Sequence, residues 1–308
     1  MRIQTIATLI LSAIVLAGCG GNLADNGTDD TNGLPSMTST DAPIAVVETP
    51  VVLKTQPANS SADGWGTFKG KIKVTGKFPE PVAENVKPGD ADFEICAVDG
   101  KAPKDDNVVI GKDGQLRDVF VMMYRGKDKT AVPVHPSYEK LKNEPVVLDN
   151  KNCRFHPHAV FVRTGQKLRL KNSDSVGHNC HIKTFNNERN DNIPANDKLD
   201  VILESVDKSP GPVVCDVHKW MDAVLLVRDE PYVAISKADG TFEIKNVPAG
   251  KWKFQFWHKG CANMKKLNVE GYKVGRRGEI EVEIVDGKVL DLGEMSITAE
   301  DLTSKLRR

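Results

Sequence analysis

The stretch 213-VVCDVHKWMDAVLLV-227 sets Cys215, His218 and Met221 three residues apart at each step. It offers a thiolate, an imidazole and a thioether directly ahead of a run of strand-forming residues. Soft sulfur suits a reduced metal ion and imidazole nitrogen an oxidised one, so the set fits copper cycling between Cu(I) and Cu(II). Such a centre takes two imidazoles and one thiolate in a trigonal arrangement, with a distant thioether. A second histidine must therefore come from another strand end, so that the protein and not the ion sets the geometry. Zinc is the other candidate, but a thioether is a poor zinc ligand and the common closed zinc sites use Cys and His.

The supply of the second imidazole is 172-NSDSVGHNCHIKT-184, which follows a strand and a polar turn. His178 and His181 are three apart, so in an extended segment their side chains point to opposite faces and only one can join the cluster. Together the two stretches resemble the cupredoxins, the plastocyanin and amicyanin family of blue copper proteins. In that family a His-Asn pair at a strand end precedes a Cys-x2-His-x(n)-Met loop. Here His178-Asn179 precedes Cys215 by 37 residues, and both gaps of the loop have amicyanin's two residues. The run 146-VVLDNKNCRFHPHAVFVRTGQKLRLKNSD-174 also looks like the cupredoxin approach to its first histidine. The resemblance favours His178 over His181, because the family's asparagine ties the two ligand loops together. It implies one copper held by His178, Cys215 and His218, with Met221 as the weak axial ligand, and the His218 ring edge as the route for the electron. Lys219 and Trp220, beside that edge, would meet a docking partner. His156, His158 and His181 take no ligand role, with His158 packing near the site. One departure is 209-SPGPVVC-215, where Pro and Val stand in place of the family's frequent aromatic residue. Asn179-Cys180-His181 also approaches the His-Cys-His signature of multicopper oxidases. Its first histidine is replaced by Asn179 and its next would fall at Phe185, so a trinuclear cluster lacks its ligands.

The elements that must position these residues read as β. Segments 66-GTFKGKIKVTG-76, 116-LRDVFVMMY-124, 159-AVFVRTGQKLRLKN-172 and 223-AVLLVRD-229 alternate or cluster β-branched and apolar residues between Gly, Pro, Asn and Asp turns. A short helix is expected near 136-PSYEKLKN-143. The run 235-ISKADGTFEIKNVPAGKWKFQFWHKG-260 reads as strands broken by Asp-Gly and Pro-Ala-Gly turns. It resembles the carboxypeptidase regulatory-like, or prealbumin-like, β-sandwich, with Trp252, Phe254 and Phe256 as a core face. An all-β architecture follows: a Greek-key cupredoxin sandwich with an N-terminal β extension over 65–231, a smaller prealbumin-like sandwich over 232–298, and a tail over 299–308.

The first segment lies outside any core. Residues 1-MRIQTIATLILSAIVLAGC-19 have the length and charge of an export signal rather than a spanning helix. The ending Leu16-Ala17-Gly18-Cys19 resembles the bacterial lipoprotein signal, which implies that Cys19 carries lipid and anchors the protein to a membrane, with 20–64 as a flexible tether. Gly20 after that cysteine is not the aspartate of inner-membrane retention, so the outer membrane is favoured. In the tether six acids against Lys54 give −5, and with Arg2 set aside the neutral total leaves +4 on 65–308. That balance is too weak and scattered for nucleic acid. With Cys19 lipidated and Cys215 on the metal, Cys96, Cys153, Cys180 and Cys261 remain in a compartment that permits disulfides. Of the three pairings, Cys96 with Cys153 and Cys180 with Cys261 are expected. The reading is a lipid-anchored, one-copper electron carrier of the periplasm or cell envelope, not an enzyme, exchanging electrons with another envelope redox protein. Copper storage or delivery, or a structural role for the fold, is the alternative.

Overall fold

The structure, a computed structural model, describes residues 64–78, 87–90, 92–97, 99–128 and 130–304. The signal, Cys19 and nearly all of the tether lie outside the described residues. In chain order the strands are β1 (Trp65–Thr75), β2 (Phe120–Met123), β3 (Val146–Asn150), β4 (Phe155–His156), β5 (Ala159–Arg163), β6 (Lys167–Asn172), β7 (His178–Lys183), β8 (Glu188–Ile193) and β9 (Lys198–Ile202). They continue as β10 (Gly211–Val214), β11 (Asp222–Arg228), β12 (Val233–Ile235), β13 (Thr241–Pro248), β14 (Gly250–His258), β15 (Ala262–Asn263), β16 (Glu279–Ile284) and β17 (Val289–Thr298). Short helices are α1 (Phe93–Cys96), α2 (Pro136–Lys142) and α3 (Ala299–Leu302). The protein is all-β, as the period-2 patterning requires. Among the described residues no helix is long and apolar enough to cross a membrane.

Sheet β5-β11-β10-β7-β8 faces sheet β4-β3-β6-β9. Between them lies a core that includes Leu148, Leu168, Leu170, Val160, Val162, Ile182, Val213, Leu225 and Val227. A second sandwich is made by β13-β1-β17 and by β12-β2-β14 with β16, around Phe68, Ile72, Val121, Phe242, Phe254, Phe256, Val282 and Ile297. Phe254 and Phe256 are fully buried and Trp252 packs at the edge of the same core, as their alternation with Lys and Gln predicts. The Asp-Gly turn needs its glycine: Gly240 has φ 79°, and a Cβ there would stand 2.5 Å from the Ile72 carbonyl oxygen.

The two sandwiches join face to face. Strand alternation sends Val121 and Met123 into the second core and Phe120 and Met122 to the seam. On β11, Ala223, Leu225 and Val227 enter the first core, while Val224 and Leu226 meet Phe120 and Met122. This explains why both strands are apolar without alternation: each is covered on both faces.

Three expectations need correcting. The division near Tyr232 does not follow the strand pairing. Strand β1 pairs antiparallel with β13 and parallel with β17, and β2 pairs with β12 and β14, so both early strands complete the C-terminal sandwich. Both are inner strands of that sandwich, β1 lying between β13 and β17 and β2 between β12 and β14, although they precede the first sandwich in the chain. Residues 299–308 do not begin as a tail, since α3 buries Ala299 and Leu302. Finally, Cys96 is bonded to Cys153, but Cys180 and Cys261 do not pair. They lie in separate cores, Cys180 in the first and Cys261 in the second.

Candidate metal centre

The alternation of three strands delivers the cluster. His178 opens β7 on the same face as Cys180 and Ile182, Cys215 follows β10 on the face of Val213, and Met221 precedes β11 on the face of Ala223 and Leu225. Because β10 runs antiparallel to β7 and to β11, the three points meet at one end of the sheet. The loop from Cys215 to Met221 closes on itself: the Met221 N–H donates to the His218 carbonyl at 2.8 Å, and the Cys215 N–H to the Met221 carbonyl at 3.1 Å. Met221 is buried there.

His178, Cys215 and His218 bring their ligand atoms within 4.8 Å of one another, all three residues being almost fully buried. The two Nδ1 atoms are 2.8 Å apart, and Cys215 Sγ is 3.8 Å from His218 Nδ1. With metal–nitrogen and metal–sulfur bonds of about 2.0 and 2.3 Å, a trigonal ion would separate sulfur from nitrogen by about 3.7 Å and the nitrogens by about 3.5 Å. The sulfur spacing fits; the imidazoles stand at hydrogen-bonding distance and would part by about 0.7 Å to share an ion.

The electrostatics favour a thiolate. Burial works against ionising Cys215, but hydrogen bonds from His178 and His218, and from the His218 backbone N–H at 3.4 Å, bring its pKa down to about 5. His218 is shifted the other way: burial opposes its charge, yet Cys215 and Asp92 hold its pKa above the ordinary imidazole value. The two shifts run in opposite directions and both favour the thiolate, the form of the sulfur that binds a metal.

Both imidazoles are held from behind. His178 Nε2 lies 2.8 Å from Asp174 Oδ2 and His218 Nε2 lies 3.0 Å from Asp92 Oδ2. A carboxylate on the far ring nitrogen fixes the orientation of the ring and leaves Nδ1 facing the cluster, as is general for metal-binding histidines. Donor types, burial, the ionised sulfur and these carboxylates all fit a copper ion at this place. Asp174 is itself fixed, accepting the backbone N–H of Asn152 at 2.6 Å and of Cys153 at 2.8 Å. The sequence reading missed both carboxylates; Asp174, four residues before His178 in a quoted segment, carried a signal, whereas Asp92 carried none.

Asn179 does tie the two ligand segments together. Its Oδ1 accepts the Asp216 N–H at 2.7 Å, and its Nδ2 donates to Asp216 Oδ2 at 3.1 Å and to Asn190 Oδ1. His181 is on the opposite face from His178, 2.9 Å from Asp216, outside the cluster. Burial first, then Asp191 and Cys215, push the Cys180 thiol far above the ordinary range, which disfavours the thiolate form that would bind an ion. It achieves by burial what the expected bridge to Cys261 would have done.

Two expectations about the periphery change. The His218 ring edge is not open, since the residue is 1% exposed with Asp92 against Nε2. Lys219 is exposed, but Trp220 is half-buried against the core, its ring centre 5.1 Å from that of His218 and its Nε1–H donating to the Cys153 carbonyl at 3.3 Å. His158 serves elsewhere. Its Nε2 is 3.2 Å from Asp222 Oδ1 and its Nδ1 3.4 Å from Asp118 Oδ2, in an ion network with Asp106, Arg117, Arg154 and Lys259 on the β11 face away from Met221.

No family model and no curated protein sequence matches the chain. Solved structures similar to part of it are cupredoxins. They include a copper-containing nitrite reductase from Thermus scotoductus SA-01, at 14% identity over 27% of this chain and 22% of that one, with TM-score 0.24. A reduced Cu(I) amicyanin variant aligns at 14% identity over 28% of this chain and 84% of its own, with TM-score 0.25. A purple cupredoxin from Nitrosopumilus maritimus aligns at 19% identity over 28% and 99%, with TM-score 0.23.

Proposed function

We propose that this chain is a type 1 copper protein that carries single electrons in the cell envelope, held at a membrane by lipid on Cys19. The observation that supports this most is the buried meeting of His178 Nδ1, His218 Nδ1 and Cys215 Sγ, with both Nε2 atoms anchored by carboxylates. A bound copper supplies a one-electron couple. The residues do the rest: Cys215 offers a soft anionic sulfur that suits Cu(I), and the imidazoles offer nitrogen that suits Cu(II). The β-sheet ends hold all of them in place, and the buried setting keeps water from the ligands. Met221, at the end of the closed loop, is the fourth donor. No group in this set activates a substrate, which favours a carrier over an enzyme. A redox protein of the envelope would approach near Lys219 and Trp220.

Storage or delivery of copper is a second reading, favoured by one observation, the closure of the His218 edge by Asp92. The test begins with Cu(II) added to purified protein: an intense visible thiolate-to-copper band is expected. Cys215→Ser and His178→Ala should lose it and His181→Ala should keep it. Copper bound without that band, or colour surviving in Cys215→Ser, removes the thiolate and the proposal with it. Mixing with a redox partner then separates the readings, because a carrier keeps its copper while a donor comes out metal-free.

A further inference from the structure

The approach to His218 is closed by a segment from far away in the chain. Asp92, 126 residues before His218, begins the single turn α1 in a left-handed conformation at φ 58°, which residues other than glycine seldom adopt. Phe93 and Cys96 of that turn are buried. Cys96 is bonded to Cys153 across 57 residues, and Cys153 touches both sides of the centre. Its N–H donates to Asp174, the carboxylate behind His178, and its carbonyl accepts the Nε1–H of Trp220, the ring beside His218. The disulfide therefore ties the turn to the same backbone that braces the two histidines.

We infer that residues 92–96 are a disulfide-held cap on the centre and that Asp92 is a positioning residue for His218. By accepting the Nε2–H, Asp92 fixes the ring orientation in which Nδ1 faces Cys215 and His178. By lying across the ring it leaves His218 1% exposed. Copper, or a partner that needs the His218 edge, reaches the centre only when this segment lifts, and the Cys96–Cys153 bond limits how far it lifts. The purpose of the cap rests on the metal-centre reading; the cap itself is a property of the metal-free fold.

The test is therefore made first without copper, by alkylating the apo-protein with iodoacetamide and following Cys215 by peptide mass. Cys215 is 1% exposed, so the rate at which its sulfur is alkylated reads how readily the segment uncovers it. Asp92→Ala should label Cys215 about tenfold faster or more, since the lost contact is a hydrogen bond to a charged group. Asp92→Asn, which keeps an acceptor oxygen for Nε2, should stay near the wild-type rate. Cys96→Ser/Cys153→Ser should be fast. Buried Cys180 is the internal control and should remain unlabelled in every variant. Unchanged Cys215 labelling in both Asp92→Ala and the double serine variant overturns the cap, and so does labelling of Cys180 in step with Cys215, which means general loosening. For positioning, Asp92→Ala should bind Cu(II) about 10- to 100-fold more weakly, with Asp92→Asn recovering most of the loss; equal affinity in all three sinks that role. If no visible copper band forms in any protein, the metal reading fails, while the alkylation rates still decide the cap.

Discussion

Truncating Asp174 to alanine removes three contacts at once and links the fold to the centre. Its carboxylate, 8% exposed, accepts from the Asn152 N–H at 2.6 Å, the Cys153 N–H at 2.8 Å and His178 Nε2 at 2.8 Å. Asn152 is exposed, so its N–H can turn to water at little cost. Cys153 and His178 are buried, and each loses a carboxylate acceptor with nothing to replace it. An orphaned buried donor costs about 1–3 kcal/mol, so the two together should cost about 3 kcal/mol. At an m-value of about 2–3 kcal/mol/M that moves the urea midpoint of the apo-protein down by about 1 M or more, with m unchanged. The assay is tryptophan fluorescence against urea, followed by Cu(II) titration of the same samples. Affinity should fall about 10- to 100-fold, because the His178 ring loses the group that orients it. Asp174→Asn should fall between, as its NH2 confronts one of the donors. A midpoint within about 0.3 M of wild type, or an unchanged copper affinity, would refute the argument that this carboxylate braces the centre.

Stability should depend on pH through His158, where burial opposes the charge but the hydrogen bonds of Asp118 and Asp222 win and raise the pKa from 6.5 to about 9. A raised folded-state value gives stability that is complete below about pH 6.5 and lost as pH rises through about 9, on the order of 3 kcal/mol across that window. The Cys215 thiolate in metal-free protein has the opposite sign, its contribution fading as pH falls through about 5. The measurement is thus the difference in thermal midpoint between wild type and His158→Gln; a difference that stays constant from pH 6.5 to 9 counts against the network. Trp220→Ala should lose about 2 kcal/mol through its half-buried ring and slow electron exchange, while Trp220→Phe keeps both stability and the visible band. Exchange at the wild-type rate in Trp220→Ala would place the docking surface elsewhere. Cys19→Ser should leave the protein unprocessed or release it from membranes, and membrane fractionation as firm as wild type rules out the lipid anchor.

What the sequence determined by itself is local. The spacing of Cys215, His218 and Met221 is the length of one closed loop, so the chain needs only to turn there to gather them. Strand alternation lets only one of His178 and His181 join the cluster, and the resemblance carried by Asn179, which does tie the two loops, pointed to His178. The buried alternation of Phe254 and Phe256 needs no knowledge of what lies opposite. Tertiary structure decided everything that joins distant segments. Strands β1 and β2 read as strands from the outset, but their partners, β13, β14 and β17, follow more than a hundred residues later, and a strand's pattern states its two faces without naming its neighbour. Cys180 and Cys261 look like a pair by count; whether two cysteines meet depends on where the fold carries each, and these lie in different cores, one on a strand and one in a turn. Asp92 is one carboxylate among many along the chain. It became a partner of His218 only because a helical turn, a disulfide and a sheet end bring it to 3.0 Å, where a fixed acceptor orients a buried ring that in open solvent it would scarcely influence.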